Sequence, residues 1–131
     1  MKNNIKLKQA TDYIIENIAE QVTLNEIEDA TGICRFTLTR MFKKKYGVSP
    51  VKWIWRLRTE FAKQLLESTL SARIIDIAVY SGFSSQAHLS RLIKETYGKT
   101  PAEIKASATK AVTFDDYLLC GSLQNAIKFV A

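Results

Sequence analysis

The feature that most constrains this 131-residue chain is a repeat of itself: Ile27, Gly32, Arg40, Gly47 and Pro50 recur as Ile77, Gly82, Arg91, Gly98 and Pro101. The offset is about fifty residues, and it grows by one after Gly32 and Gly82. One residue inserted in the second copy's turn accounts for the growth, since turns accept insertions that helices do not. Each copy reads as a short helix, a glycine turn and a longer helix, the pattern of a helix-turn-helix unit.

Taken in order, the chain first spaces Leu7, Ala10, Ile14, Ile18 and Val22 three or four residues apart, which predicts an amphipathic helix from about Asn4 to Val22. Thr23 with Glu26 forms a capping-box pattern, opening a short helix that stops at Gly32. The next helix is expected from Cys34 or Arg35 to Tyr46, with Leu38, Met41 and Phe42 on its core face and Gly47 at a left-handed stop. Ser49-Pro50 then starts a long helix to about Glu67, roughly 27 Å in length. Its core stripe is Trp53, Ile54, Leu57, Phe61 and Leu65, with Trp55, Arg56 and Arg58 partly off it. After a polar break at Ser68 to Ser71, Ile74, Ile75, Ile77 and Ala78 mark a short helix ending near Gly82. A longer helix follows, and Thr100-Pro101 caps a last short one to about Ser107.

The expected fold is therefore all-α: about seven helices, arranged as two helix-turn-helix subdomains joined by a long shared helix. The bipartite domain covers residues 1–108, with the first unit at about 24–46, the linker helix at about 50–67 and the second unit at about 73–97. The tail at 109–131 is apolar and nearly neutral, unlike a disordered arm, and its role stays open.

The formal net charge of +6 favours an anionic partner, nucleic acid or a membrane surface. Its placement is more telling than its size. Between Gln9 and Cys34 there are six acids and no Lys or Arg, whereas Arg35 to Lys63 holds nine bases against Glu60 alone. No window approaches a membrane span and the start has no apolar run resembling a leader, so a cytoplasmic, nucleoid-associated protein with no membrane partner is expected. Two cysteines and one histidine provide neither a disulfide framework nor a metal site. No nucleophile with a base, paired acids or phosphate loop can be assembled, so neither catalytic residues nor cofactors are expected, and the chain is not read as an enzyme.

Opposite the core face of the first longer helix lie Phe36, Thr39, Arg40 and Lys43, an aromatic, a hydroxyl and two cations. Their counterparts in the second copy are Ala87, Ser90, Arg91 and Lys94, opposite Leu89, Leu92 and Ile93. A helix fits the major groove of DNA, where an arginine can bond both O6 and N7 of a guanine. Arg40 and Arg91 are the expected base or adjacent phosphate contacts. Phe36 could press on a thymine methyl, with a core position as its bland alternative, and Gln86 could pair with adenine. Arg35, Lys44 and His88 complete the expected DNA-binding set, the lysines serving as phosphate contacts or solvated charge. Two such helices in successive major-groove segments would have centres about 34 Å apart.

The stretches TGICRFTLTRMFKKKYGVSP and GFSSQAHLSRLIKETYGKTP, with Trp53, Leu57, Arg58, Ala62, Leu65 and Leu66 between them, resemble the DNA-binding domain of the AraC/XylS family of bacterial transcription regulators. The resemblance covers about Ile5 to Ala106, and with no large effector-binding domain expected, the chain is similar to the short MarA/SoxS/Rob-type members. It implies a transcription activator that binds double-stranded DNA as a monomer and recruits RNA polymerase. By position, the family's base-reading residues fall on Phe36, Thr39 and Arg40, and on Gln86, Ala87, Ser90 and Arg91. The chain departs from the family pattern at Glu28, where a small residue is usual beneath the recognition helix, and at Cys34, where a serine cap is usual. Leu89 and Ile93 stand where aromatics are frequent. A non-specific architectural DNA binder, and the DNA-binding portion of a larger effector-responsive regulator, are the alternatives.

Overall fold

A computed structural model describes residues 2–68 and 73–106. Among them every regular element is an α-helix: α1 (Lys2–Glu16), α2 (Leu24–Thr31), α3 (Arg35–Tyr46), α4 (Pro50–Ser68), α5 (Ile74–Tyr80), α6 (Gln86–Tyr97) and α7 (Pro101–Ala106). The polar break after Ser68 and the tail beyond residue 108 lie outside the described residues, and so does the expected end of α7 at Ser107. The described residues divide into two compact units, one ending at Arg56 and one starting at Leu57.

In the first unit α1 packs on α2 and α3, and α2 packs on α3. The expected stripe of α1 is buried at Leu7, Ala10 and Ile14, but the helix ends at Glu16 instead of continuing to Val22. The physical cause is Asn17, whose side-chain Nδ2 donates to the Tyr13 carbonyl at 2.8 Å. Its backbone N–H is shared between the Tyr13 and Ile14 carbonyls, both at 3.2 Å, which tightens the last turn and releases the chain. Ile18 is still buried, so the sequence periodicity reported burial correctly one turn beyond the helix itself.

The centre of this unit is an aromatic cluster. The Phe42 ring meets the Trp53 indole edge-on at 5.5 Å between centroids, and Tyr46 lies 5.3 Å from Trp53. Trp53 and Phe42 are fully buried. Such aromatic pairs add to the area they bury, because ring quadrupoles favour tilted and edge-on contacts.

In the second unit α6 packs on α5 and α7, around a core that includes Phe61, Leu65, Ile77, Phe83, Leu89, Ile93 and Ile104. Leu92, expected on the core face, is only half-buried. The counterparts of Phe42, Tyr46 and Trp53 are Ile93, Tyr97 and Ile104, so buried aliphatic side chains take the place of two of the three rings.

The inserted residue can be placed. In the first turn the Thr31 hydroxyl donates to the Ile27 carbonyl and accepts from the Ile33 N–H. Gly32 takes φ +71°, Ile33 plugs into the core, and Cys34 is the N-cap of α3. The second turn repeats the left-handed glycine, Gly82 at φ +82°, and the buried plug, Phe83, but the Ser81 hydroxyl at the place of Thr31 makes no hydrogen bond among the described residues. Ser84 then separates the plug from the N-cap Ser85. The insertion falls on an exposed residue, where added chain displaces no packed side chain.

Helix starts and stops follow local chemistry. Thr23 and Glu26 form the reciprocal capping box, and the Ser49 hydroxyl accepts from the Lys52 N–H at 3.3 Å. Gly47 and Gly98, in matching places after α3 and α6, adopt left-handed φ of +75° and +72°, where a Cβ costs roughly 1–2 kcal/mol.

Candidate nucleic-acid interface

The longer helix of each copy presents two distinct faces. On α3, Leu38, Met41 and Phe42 are buried while Phe36, Arg40, Lys43 and Lys44 are exposed and Thr39 is half-exposed. Phe36 is 75% exposed, which removes the core alternative for it. At about 100° per residue, Phe36, Thr39, Arg40 and Lys43 share one outward face. On α6 the same arithmetic groups Ala87, Ser90, Arg91 and Lys94 opposite buried Leu89 and Ile93. Gln86 is exposed on one flank and His88 half-buried on the other.

Three of these side chains have protein partners that fix their positions. The Arg35 Nε donates to Glu28 Oε1 at 2.7 Å, and its Nη2 donates to Asn25 Oδ1. The acid of α2 is thus paired with the residue that opens α3, and Arg35 bridges the two helices. Lys94 Nζ donates to the Gly98 carbonyl at 3.2 Å, satisfying an acceptor at the C-terminal end of α6. The His88 ring stands edge-on to Phe83 at 5.3 Å, and its backbone N–H is capped by the Ser85 hydroxyl at 3.1 Å. Burial, and then the positive charges of Arg91 and Arg58, lower the His88 pKa below 6.5.

The charge of the basic stretch is partly redistributed by the fold. Arg40, Lys43, Lys44, Lys45, Lys52 and Arg56 are exposed. Arg58 is only 4% exposed, and burial lowers its pKa. The expectation that Arg58 sits partly off the core stripe is therefore corrected: α4 is enclosed over Leu57 to Ala62, so that part of its circumference has no solvent-facing side. Glu60, the lone acid of the basic stretch, is also buried, at 3% exposure. Its Oε2 accepts from the Tyr97 hydroxyl, and its Oε1 accepts from Gln64 Nε2 at 3.2 Å. Sequence reasoning did not single out this group. Its only advance signal was being the one acid among the bases.

The two outward faces carry donors, a hydroxyl and an aromatic on rigid helices, the chemistry needed to meet base edges and phosphates. Among the described residues no group of acids, His and Cys could hold a metal ion, and no helix is long and apolar enough to cross a membrane.

These features define a helix-turn-helix protein. A family model described as a helix-turn-helix domain matches residues 27–107. A crystal structure of an AraC-type transcriptional regulator from Chromobacterium violaceum superimposes with a TM-score of 0.72 at 35% identity, covering 79% of this chain and 91% of that one. The DNA-binding domain of AdpA, solved in complex with a target DNA, gives 0.71 at 25% identity, covering 77% and 90%. The transcriptional activator RhaS of an Enterobacter species is 30% identical over 103 residues, which is 79% of this chain and 37% of RhaS. The chain belongs to the AraC family of helix-turn-helix DNA-binding domains. It spans about a third of the length of the curated relatives it matches.

Proposed function

We propose that this chain is a sequence-specific, double-stranded DNA-binding transcription regulator that reads successive major-groove segments with α3 and α6. The observation that carries this reading is the repetition of one exposed face, Phe36/Thr39/Arg40/Lys43 and Ala87/Ser90/Arg91/Lys94, opposite a closed core. Arg40 and Arg91 are the base-reading candidates, with Phe36, Thr39, Gln86, Ala87 and Ser90 beside them. Lys43, Lys44, Lys94 and His88 border the faces as phosphate neighbours. Arg35 acts chiefly through Glu28, positioning α3.

The AdpA domain is seen on its target DNA, which supports DNA binding by this chain, and RhaS is an activator, which supports activation as its role. Monomeric binding, recruitment of RNA polymerase and a cytoplasmic, nucleoid-associated location belong to the same reading, as does the absence of catalysis. Selection of bound sites from random duplexes tests it. The expected result is an asymmetric site with two determinant clusters about one helical turn apart. Equal binding of all sequences at physiological salt would instead identify an architectural binder.

A further inference from the structure

The buried carboxylate of Glu60 has no part in the outward faces, yet it touches the recognition helix of the second unit. Both of its oxygens are engaged, one by the Tyr97 hydroxyl and one by Gln64 Nε2. Tyr97 is the last residue of α6. Its ring also lies beneath the Lys63 ammonium, 4.8 Å from the centroid, and Lys63 in turn approaches Glu67 at 3.6 Å. Burial first, and then the hydrogen bond and negative charge of Glu60, push the Tyr97 pKa far above its ordinary value, so the hydroxyl remains a donor. The other end of α6 is fixed independently by the Ser85 cap and by Phe83.

We infer that Glu60 is a positioning residue for the second recognition helix: with Tyr97 it sets the rotation of α6 about its own axis and so the aim of Arg91. This rests on the reading of α6 as a base-reading helix. The geometry shows why a latch is needed. A side chain about 6 Å from the helix axis moves by about 2 Å when the helix rolls by about 20°. A bidentate arginine–guanine pair tolerates only the few tenths of an ångström that separate good from poor hydrogen bonds. Aliphatic contacts from Ile93 and Ile104 are non-directional and allow such a roll. A charge-assisted hydrogen bond in a buried setting is directional and does not. In the first unit, the corresponding Tyr46 is held by the Phe42 and Trp53 rings, whose close-packed shapes already resist rolling.

The test uses the 131-residue chain, a selected duplex, and two versions of it scrambled in one half-site each. Tyr97→Phe keeps the ring and its contact with Lys63 while removing the hydroxyl. The latch predicts that discrimination against the duplex scrambled in the second half falls about tenfold, the scale of one good base contact, while discrimination in the first half is unchanged. Glu60→Gln, which keeps an acceptor but loses the charge that strengthens the bond, shows a smaller loss in the same half, and the double variant is no worse than Tyr97→Phe alone, because the two residues form one link. Thermal melting confirms that each variant is folded at the binding temperature, and if Glu60→Gln unfolds the chain, Tyr97→Phe alone decides. A lowered melting temperature with second-half discrimination intact, or an equal loss in both halves, overturns the latch. An unmodified chain that binds all three duplexes alike overturns the sequence-specific reading itself and the latch with it.

Discussion

The two helix-turn-helix units share a plan and differ in how each is held. The first closes around rings, Phe42, Tyr46 and Trp53, and exposes a large aromatic and several cations on α3. The second closes around Ile93 and Ile104, adds a polar link from Glu60 to Tyr97, and exposes smaller side chains on α6. Their helix starts differ too. Cys34 makes no side-chain hydrogen bond as the N-cap of α3, whereas Ser85 caps α6. At the preceding helices, Thr23 and Glu26 form a capping box, while Arg73 and Asp76 make an exposed ion pair at 3.0 Å. A common backbone course is thus held by different combinations of ring packing, caps and polar links in the two copies, and the outward faces of α3 and α6 differ as well.

The largest effect expected from breaking this comparison is on stability. Trp53→Ala removes the centre of the aromatic cluster and should lower the unfolding free energy by about 3–5 kcal/mol. Ile104→Ala, at the matching place, should fall toward the lower end of about 2–5 kcal/mol. Urea unfolding measures both, and equal losses would show that the two closures are energetically alike.

Next in size are the proposed base contacts. Arg40→Ala and Arg91→Ala should each cost about 1–3 kcal/mol of binding and relax preference at one base position. The two positions should fall in different half-sites, as titration against singly substituted duplexes would show. Relaxation in the same half-site would break the assignment of one reading face to each unit.

Smaller still is the difference in caps. Cys34→Ser supplies the missing oxygen at an extended residue with φ −63° and ψ 144°. It should stabilise the chain by about 1 kcal/mol, and Ser85→Cys should cost a similar amount. Thermal unfolding of the two variants in parallel should give shifts of opposite sign.

The smallest expected effect is a pH dependence confined to the second unit. Because the folded His88 pKa lies below its ordinary 6.5, the unfolded chain takes up a proton before the folded one as pH falls. The favourable contribution of neutral His88 is therefore present above 6.5 and lost as pH falls through the folded pKa. His88→Gln should flatten this part of a melting-temperature profile, and an unchanged profile would place the dependence elsewhere.

The sequence alone determined the repeat, the order of the helices and most of the core faces of α3 and α6. Leu38, Met41 and Phe42, and likewise Leu89 and Ile93, are buried as their 3.6-residue spacing requires, and Gly32, Gly47 and Gly98 sit at left-handed stops. Local chemistry suffices there, because caps, positive φ and amphipathic periodicity are properties of neighbouring residues. Tertiary structure decided the rest. Periodicity cannot sort the sides of α4 where it is enclosed, so Arg58 reads as a surface cation and is buried. The exposed position of Phe36 depended on whether α3 had already covered its core with other side chains. The partnership of Arg35 with Glu28 joins residues seven apart, and that of Glu60 with Tyr97 joins residues thirty-seven apart. Neither follows from a one-dimensional pattern, because a hydrogen bond between helices depends on where packing places their surfaces.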